Sequence, residues 1–162
     1  MRAAAGRRLG LAIGAVMLAG GTAHAAPTVG WHYIGESREL IGSTGEDEGD
    51  TDFRATCKPG ATAELGIGAE ENVGTGAGEA VSLTLASGAR SVRLDGHSKQ
   101  SPNFQMTGSV ELVATVDKTH AIFQLLADPG AIKVSGKTIS TTWPDRGRAA
   151  ATKAFLTACF GG

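Results

Sequence analysis

The chain has 162 residues, with 15 Lys and Arg against 16 Asp and Glu, a formal net charge of −1. That balance, with no basic run and no heptad array, gives no broad attraction for nucleic acid or anionic lipid. Nucleic acid is therefore excluded as a partner.

Arg2, Arg7 and Arg8 precede an apolar stretch at 9–19, and Ala23-His24-Ala25 follows with small-x-small spacing. Residues 1–25 thus read as a signal peptide, and 26–162 as a single β-rich domain. The apolar stretch is too short for a good membrane span, so no stable membrane insertion is expected after cleavage. All sixteen acids but only twelve of the basic residues fall in the mature part, a net charge of −4. The expected address is periplasmic or secreted.

Trp31-His32-Tyr33 lies near the mature N-terminus. Core packing is the ordinary role of such scattered aromatics. Trp31 and Tyr33 are nevertheless set apart as candidates for a partner-binding surface, because exposed aromatics are favoured hot spots.

The acidic run "GEDEGDTD" (45–52) follows. An EF-hand frame starting at Glu48 places Glu48, Asp50 and Asp52 as oxygen donors. Phe53 then stands where the loop requires glycine, and Pro59 where it requires the last glutamate. The run reads as a solvated loop, with Glu48, Asp50 and Asp52 kept as weak candidates for loose cation binding. No cofactor is expected.

Residues 52–57 read as a core strand carrying Phe53, Ala55 and Cys57 on one face. Cys57 and Cys159 are the only cysteines, and in an exported chain an even pair reads as a disulfide. Closing a loop of that length is worth about 4–5 kcal/mol on the chain-entropy model.

Alternation continues through Ala63, Leu65 and Ile67, and resumes after an acidic, glycine-rich connection at 68–80. Val81, Leu83 and Leu85 carry it on, then Val92 and Leu94. The longest run is Phe104, Met106, Gly108, Val110, Leu112, Ala114 and Val116. Strands are also predicted over 121–126, 131–134 and 138–143. Ser87-Gly88, Asp95-Gly96, Asp128-Pro129-Gly130 and Ser135-Gly136 supply the turns. "AIKVSGKT" (131–138) fits a permissive phosphate-loop pattern, but β-branched residues follow it where a helix is needed, so it reads as a hairpin. Asp95, His97 and Ser98 sit together in "LDGHS", without the G-x-S-x-G elbow of a hydrolase.

After Trp143-Pro144, a helix is predicted over about 146–160, capped by Asp145 and ended by Gly161-Gly162. Ala151, Phe155 and Cys159, with Leu156, form its apolar side; Thr152, Lys153 and Thr157 fall on the other. The predicted fold is mainly β: an antiparallel sandwich or barrel-like meander of about seven to nine strands. One C-terminal helix is tied to it by a single disulfide.

A signal peptide, "FRATCK" leading into an alternating strand, and a closing "AFLTAC" helix resemble small Gram-negative periplasmic proteins of the VasI/TagO-like group. That resemblance implies an accessory role in type VI secretion and carries no site residue over. "ASGAR" (86–90) resembles a loop of small exported lysozyme inhibitors. The expected function is that of an exported, non-enzymatic binding protein of the bacterial envelope, its partner another envelope or secreted protein. An inhibitor of an exported enzyme such as lysozyme, and a small envelope hydrolase, are the alternatives.

Overall fold

A computed structural model describes residues 29–44, 51–68, 73–137 and 139–161. The signal-peptide reading and most of the acidic run, Glu48 and Asp50 included, lie outside these residues. Nine strands form one antiparallel sheet: β1 (Gly30–Ile34), β2 (Glu39–Ser43), β3 (Phe53–Lys58), β4 (Thr62–Ile67), β5 (Ala77–Ser87), β6 (Arg90–Gln100), β7 (Val110–Asp117), β8 (Ile132–Ser135) and β9 (Ser140–Trp143). Their order is β1-β2-β3-β4-β7-β6-β5-β8-β9. Three helices punctuate it: α1 (Phe104–Thr107), α2 (Ala121–Ala127) and α3 (Arg148–Phe160).

The two-residue period fixes which face is buried. Phe53 and Ala55 of β3, Ala63, Leu65 and Ile67 of β4, Leu83 and Leu85 of β5, and Leu112 and Ala114 of β7 all enter one core. Register agrees with this, since Leu65 pairs with Ala114 and Leu83 with Leu94. The sheet curls until its first strand meets the chain leaving its last. There Trp31 donates its backbone N–H to Arg146 O at 3.0 Å and its indole N–H to Pro144 O at 2.9 Å. Trp31, Phe53 and Trp143 pack ring on ring where the ends meet, with centroids 5.2–5.7 Å apart.

The C-terminal helix and its disulfide are as the sequence predicts. Cys57 and Cys159 are bonded, with Cα atoms 5.4 Å apart. Helix α3 covers β1 and β2, and Phe155 faces Tyr33 and Phe123 at 6.5 and 6.1 Å. Its buried side is broader and more polar than expected. Arg148, Ala151, Thr152 and Phe155 share it, and Thr152 is fully enclosed instead of facing solvent. The N-cap is Gly147, with a φ of 80°. The Asp145 carboxylate goes instead to the Gly130 N–H at 2.8 Å.

Three expected local elements are different. Residues 121–126 are helical: Ile122, Phe123, Leu125 and Leu126 are buried at helical spacing, and His120 Nδ1 accepts from Ile122 N. Only Ile122 there is β-branched, so propensity also favours the helix. The long run from Phe104 begins as α1, closed by Gly108 at a φ of 68°, before β7 starts. Asp95-Gly96 is not a turn but lies within β6, where Gly96 lets β6 and β7 approach closely. A Cβ there would collide with the Val113 carbonyl oxygen.

Candidate functional site

The expected site residues do not gather. Trp31 is a core residue, 4% exposed, and Tyr33 is half-buried against Phe155. Neither presents an open aromatic anchor. Asp52 accepts from the Thr44 N–H at 2.6 Å and from the Thr44 hydroxyl, holding the ends of the acidic loop together. Among the described residues no three His, Cys, Asp or Glu side chains cluster as a metal site.

The "LDGHS" residues separate by strand geometry. His97 and Asp95 are exposed on the outer face, Asp95 paired with Arg93 at 2.9 Å. Ser98 turns inward, 1% exposed, donating to Glu79 and accepting from Gly76 N. Successive strand residues point to opposite faces, so this hydroxyl and this imidazole do not converge. Glu79 also accepts from Thr75 and Ala77 N–H groups. These donors, the Ser98 hydroxyl foremost, hold its carboxyl down at about 2. The Glu79 carboxylate thus shapes the glycine-rich connection leading into β5.

A polar cleft on the outer face is lined by Arg54, Glu64, Gly66, Lys99 and Glu111 and encloses about 130 Å³. Arg54 Nη2 and Glu111 Oε1 pair across it at 2.9 Å. Gly66 makes this approach feasible, since a Cβ there would lie 2.8 Å from Glu111 Oε2. Desolvation raises the Glu111 pKa, opposed by Arg54 and Lys99. The charges satisfy one another, and the cleft has room only for a few waters.

The larger opening lies between α2 and α3. These helices run antiparallel: Arg148 at the start of α3 meets Leu126 at the end of α2, while Phe123 meets Phe160. Their outer sides leave a groove of about 560 Å³ lined by Lys118, Ala127, Ala149, Lys153, Leu156, Thr157, Phe160 and Gly161. Leu156 and Phe160 are only half-buried, and Lys118 and Lys153 are exposed. Neither lysine has an ion-pair partner among the described residues. Such a surface can bind, and its lining carries no carboxylate, imidazole or thiol. No local sequence signal marks it: Leu156 reads as part of the apolar side of α3, and only Lys153 and Thr157 of the lining read as solvent-facing.

Comparison with protein-family models, curated proteins and solved structures found no significant match to this chain.

Proposed function

We propose that the protein is an exported, non-enzymatic interaction module that binds another envelope or secreted protein through the α2–α3 groove. The observation that carries this reading is the groove itself: half-buried Leu156 and Phe160 beside two lysines that have no ion-pair partner among the described residues. Other large apolar side chains are mostly enclosed, apart from Ile34 and Met106. Apolar surface left open beside charge marks interaction sites. Export is supported by the disulfide, a bond that persists in oxidising compartments, and by the signal-peptide pattern read in residues 1–25 of the sequence. Among the described residues no helix is long and apolar enough to cross a membrane. The separated Ser98 and His97 favour a binding role over the hydrolase alternative.

The test is site-specific photo-crosslinking in an envelope fraction. A photoreactive residue replaces exposed Thr157 in the groove or exposed Thr115 on the outer face of β7. One specific protein adduct from position 157 and none from 115 is the expected result. Equal adducts from both positions, or none from either, would overturn the reading.

A further inference from the structure

The groove also shows what kind of segment fills it, an inference that rests on the binding reading above. Ala149, Lys153, Leu156 and Phe160 line it at i, i+4, i+7 and i+11 of α3. At 1.5 Å per residue this stripe is about 16 Å long. Small-molecule sites bury most of their ligand, whereas this groove is open along its length, the form that receives one face of a helix.

Its electrostatics are one-sided. Both charged lining residues are lysines, and no acid lines the groove. Asp117, next to Lys118, directs Oδ1 to Thr119 N at 2.8 Å and to Thr119 Oγ1 at 2.6 Å. At the other end Ala127 and Ala149 are small enough to admit a backbone closely.

We propose that the α2–α3 groove receives an acidic amphipathic helix of a partner protein. The partner's apolar face seats on Leu156 and Phe160, and carboxylates on its flank meet Lys118 and Lys153. A second copy of α3 is a poorer occupant, since symmetric pairing brings like charges together. The chain's own acidic tracts, at 46–52 and 70–71, carry carboxylates without apolar residues at helical spacing.

The experiment is selection of a random 14-residue peptide library on the mature protein, with enriched peptides then synthesised and measured by fluorescence anisotropy and circular dichroism. The expected sequences combine Glu or Asp with apolar residues at i, i+3 and i+4, and gain helicity on binding. Lys118→Glu and Lys153→Glu should each weaken binding by up to about fivefold, as screened charge pairs do. Peptides with Glu changed to Lys should regain binding to the double variant. Both lysines are exposed, so these variants retain the fold, which circular dichroism checks.

Enriched sequences without acidic excess, or affinity indifferent to both lysine variants, would overturn the proposal. So would dodecanoate binding with no peptide enriched, which would make the groove an amphiphile site. Dimerisation in sedimentation velocity, abolished by Thr157→Asp, would assign it to a second copy and equally overturn it. If crosslinking from position 157 captures a partner through a segment that is not acidic, this inference falls and the binding reading stands. If neither experiment finds an occupant, both fall.

Discussion

Arg148 lies over the Trp31 ring, its guanidinium carbon 5.8 Å from the centroid, with its side chain wholly enclosed. It donates to Leu126 O at 3.0 Å and to Asp128 O and Gly130 O at 2.6 Å. One side chain thus satisfies one carbonyl near the end of α2 and two in the connection after it, anchors the first turn of α3, and packs on the indole where the sheet ends meet. Desolvation lowers its pKa, while Asp145 and Asp128 oppose that shift. Replacing it with Met keeps the bulk but leaves three carbonyls without their donor. Arg148→Met should therefore cost about 3–5 kcal/mol, read as a lower urea midpoint. A loss below about 1 kcal/mol would show that the carbonyls find other donors.

The disulfide and Arg38 secure the other end of the same helix. Cys159 is bonded to Cys57, and Arg38 Nη2 donates to Ala158 O. Arg148 and fully buried Phe155 hold the first two turns independently. Cys57→Ser should accordingly lower stability by up to about 4–5 kcal/mol. Hydrogen exchange should quicken first in residues 156–161 and least near 148–152. Equal loss of protection along all of α3 would mean that the disulfide holds the whole helix.

Thr152 offers the opposite sign. Its side chain is completely buried, and its hydroxyl finds no hydrogen-bond partner among the described residues. An enclosed hydroxyl without a partner costs about 1–3 kcal/mol, and valine has nearly the same shape. Thr152→Val should raise the unfolding midpoint by the equivalent of about 1 kcal/mol. A destabilised variant would reveal a bond to the hydroxyl.

What the sequence made legible followed from period and covalent chemistry. Alternation at Ala63–Leu65–Ile67 and Val92–Leu94 marked strands because one face of each is solvated. Cys57 and Cys159 named their own bond. The short apolar stretch at 121–126 did not declare itself, because so brief an apolar run fits a fully buried strand as well as a piece of buried helix. The turn at Asp117–His120 and the His120 cap start the helix there. Arg148 and Thr152 were hidden for another reason. Arg148 finds its partners in Leu126, Asp128, Gly130 and Trp31, and Thr152 is enclosed by tertiary packing, neither of which a local pattern encodes. The groove was equally hidden, since it exists only where two helices meet.

Gly96 was mistaken for a turn residue because Asp-Gly has that chemistry in isolation. Its role is close approach between β6 and β7. An added methyl would strike the Val113 carbonyl oxygen and lie 3.0 Å from Leu112 Cδ2, so the clash involves backbone that cannot rotate aside. Gly96→Ala should cost about 2–4 kcal/mol. Gly35 is the control: it has no positive φ, and its Cβ would meet only Tyr33 Cε1 at 4.0 Å. Gly35→Ala should be neutral or stabilise by about 0.4–1 kcal/mol through the unfolded chain. Equal effects at both positions would refute the close-approach account.

Two glutamates should titrate in opposite senses. Hydrogen bonds hold Glu79 at about 2, below its ordinary value of 4.5. Its ordering of the Thr75–Ala77 connection is therefore complete above pH 4.5 and lost as pH falls through about 2. Desolvation raises Glu111, against the pull of Arg54 and Lys99. The cost of its ionised form is full above its raised folded value and gone below pH 4.5. Carboxyl-carbon NMR during acid titration should show Glu111 protonating first and Glu79 last. The Thr75 and Ala77 amide signals should move with Glu79 alone. Arg54→Gln removes an opposing charge and should raise the Glu111 midpoint further, leaving Glu79 unmoved. Coincident midpoints for the two glutamates would contradict both assignments.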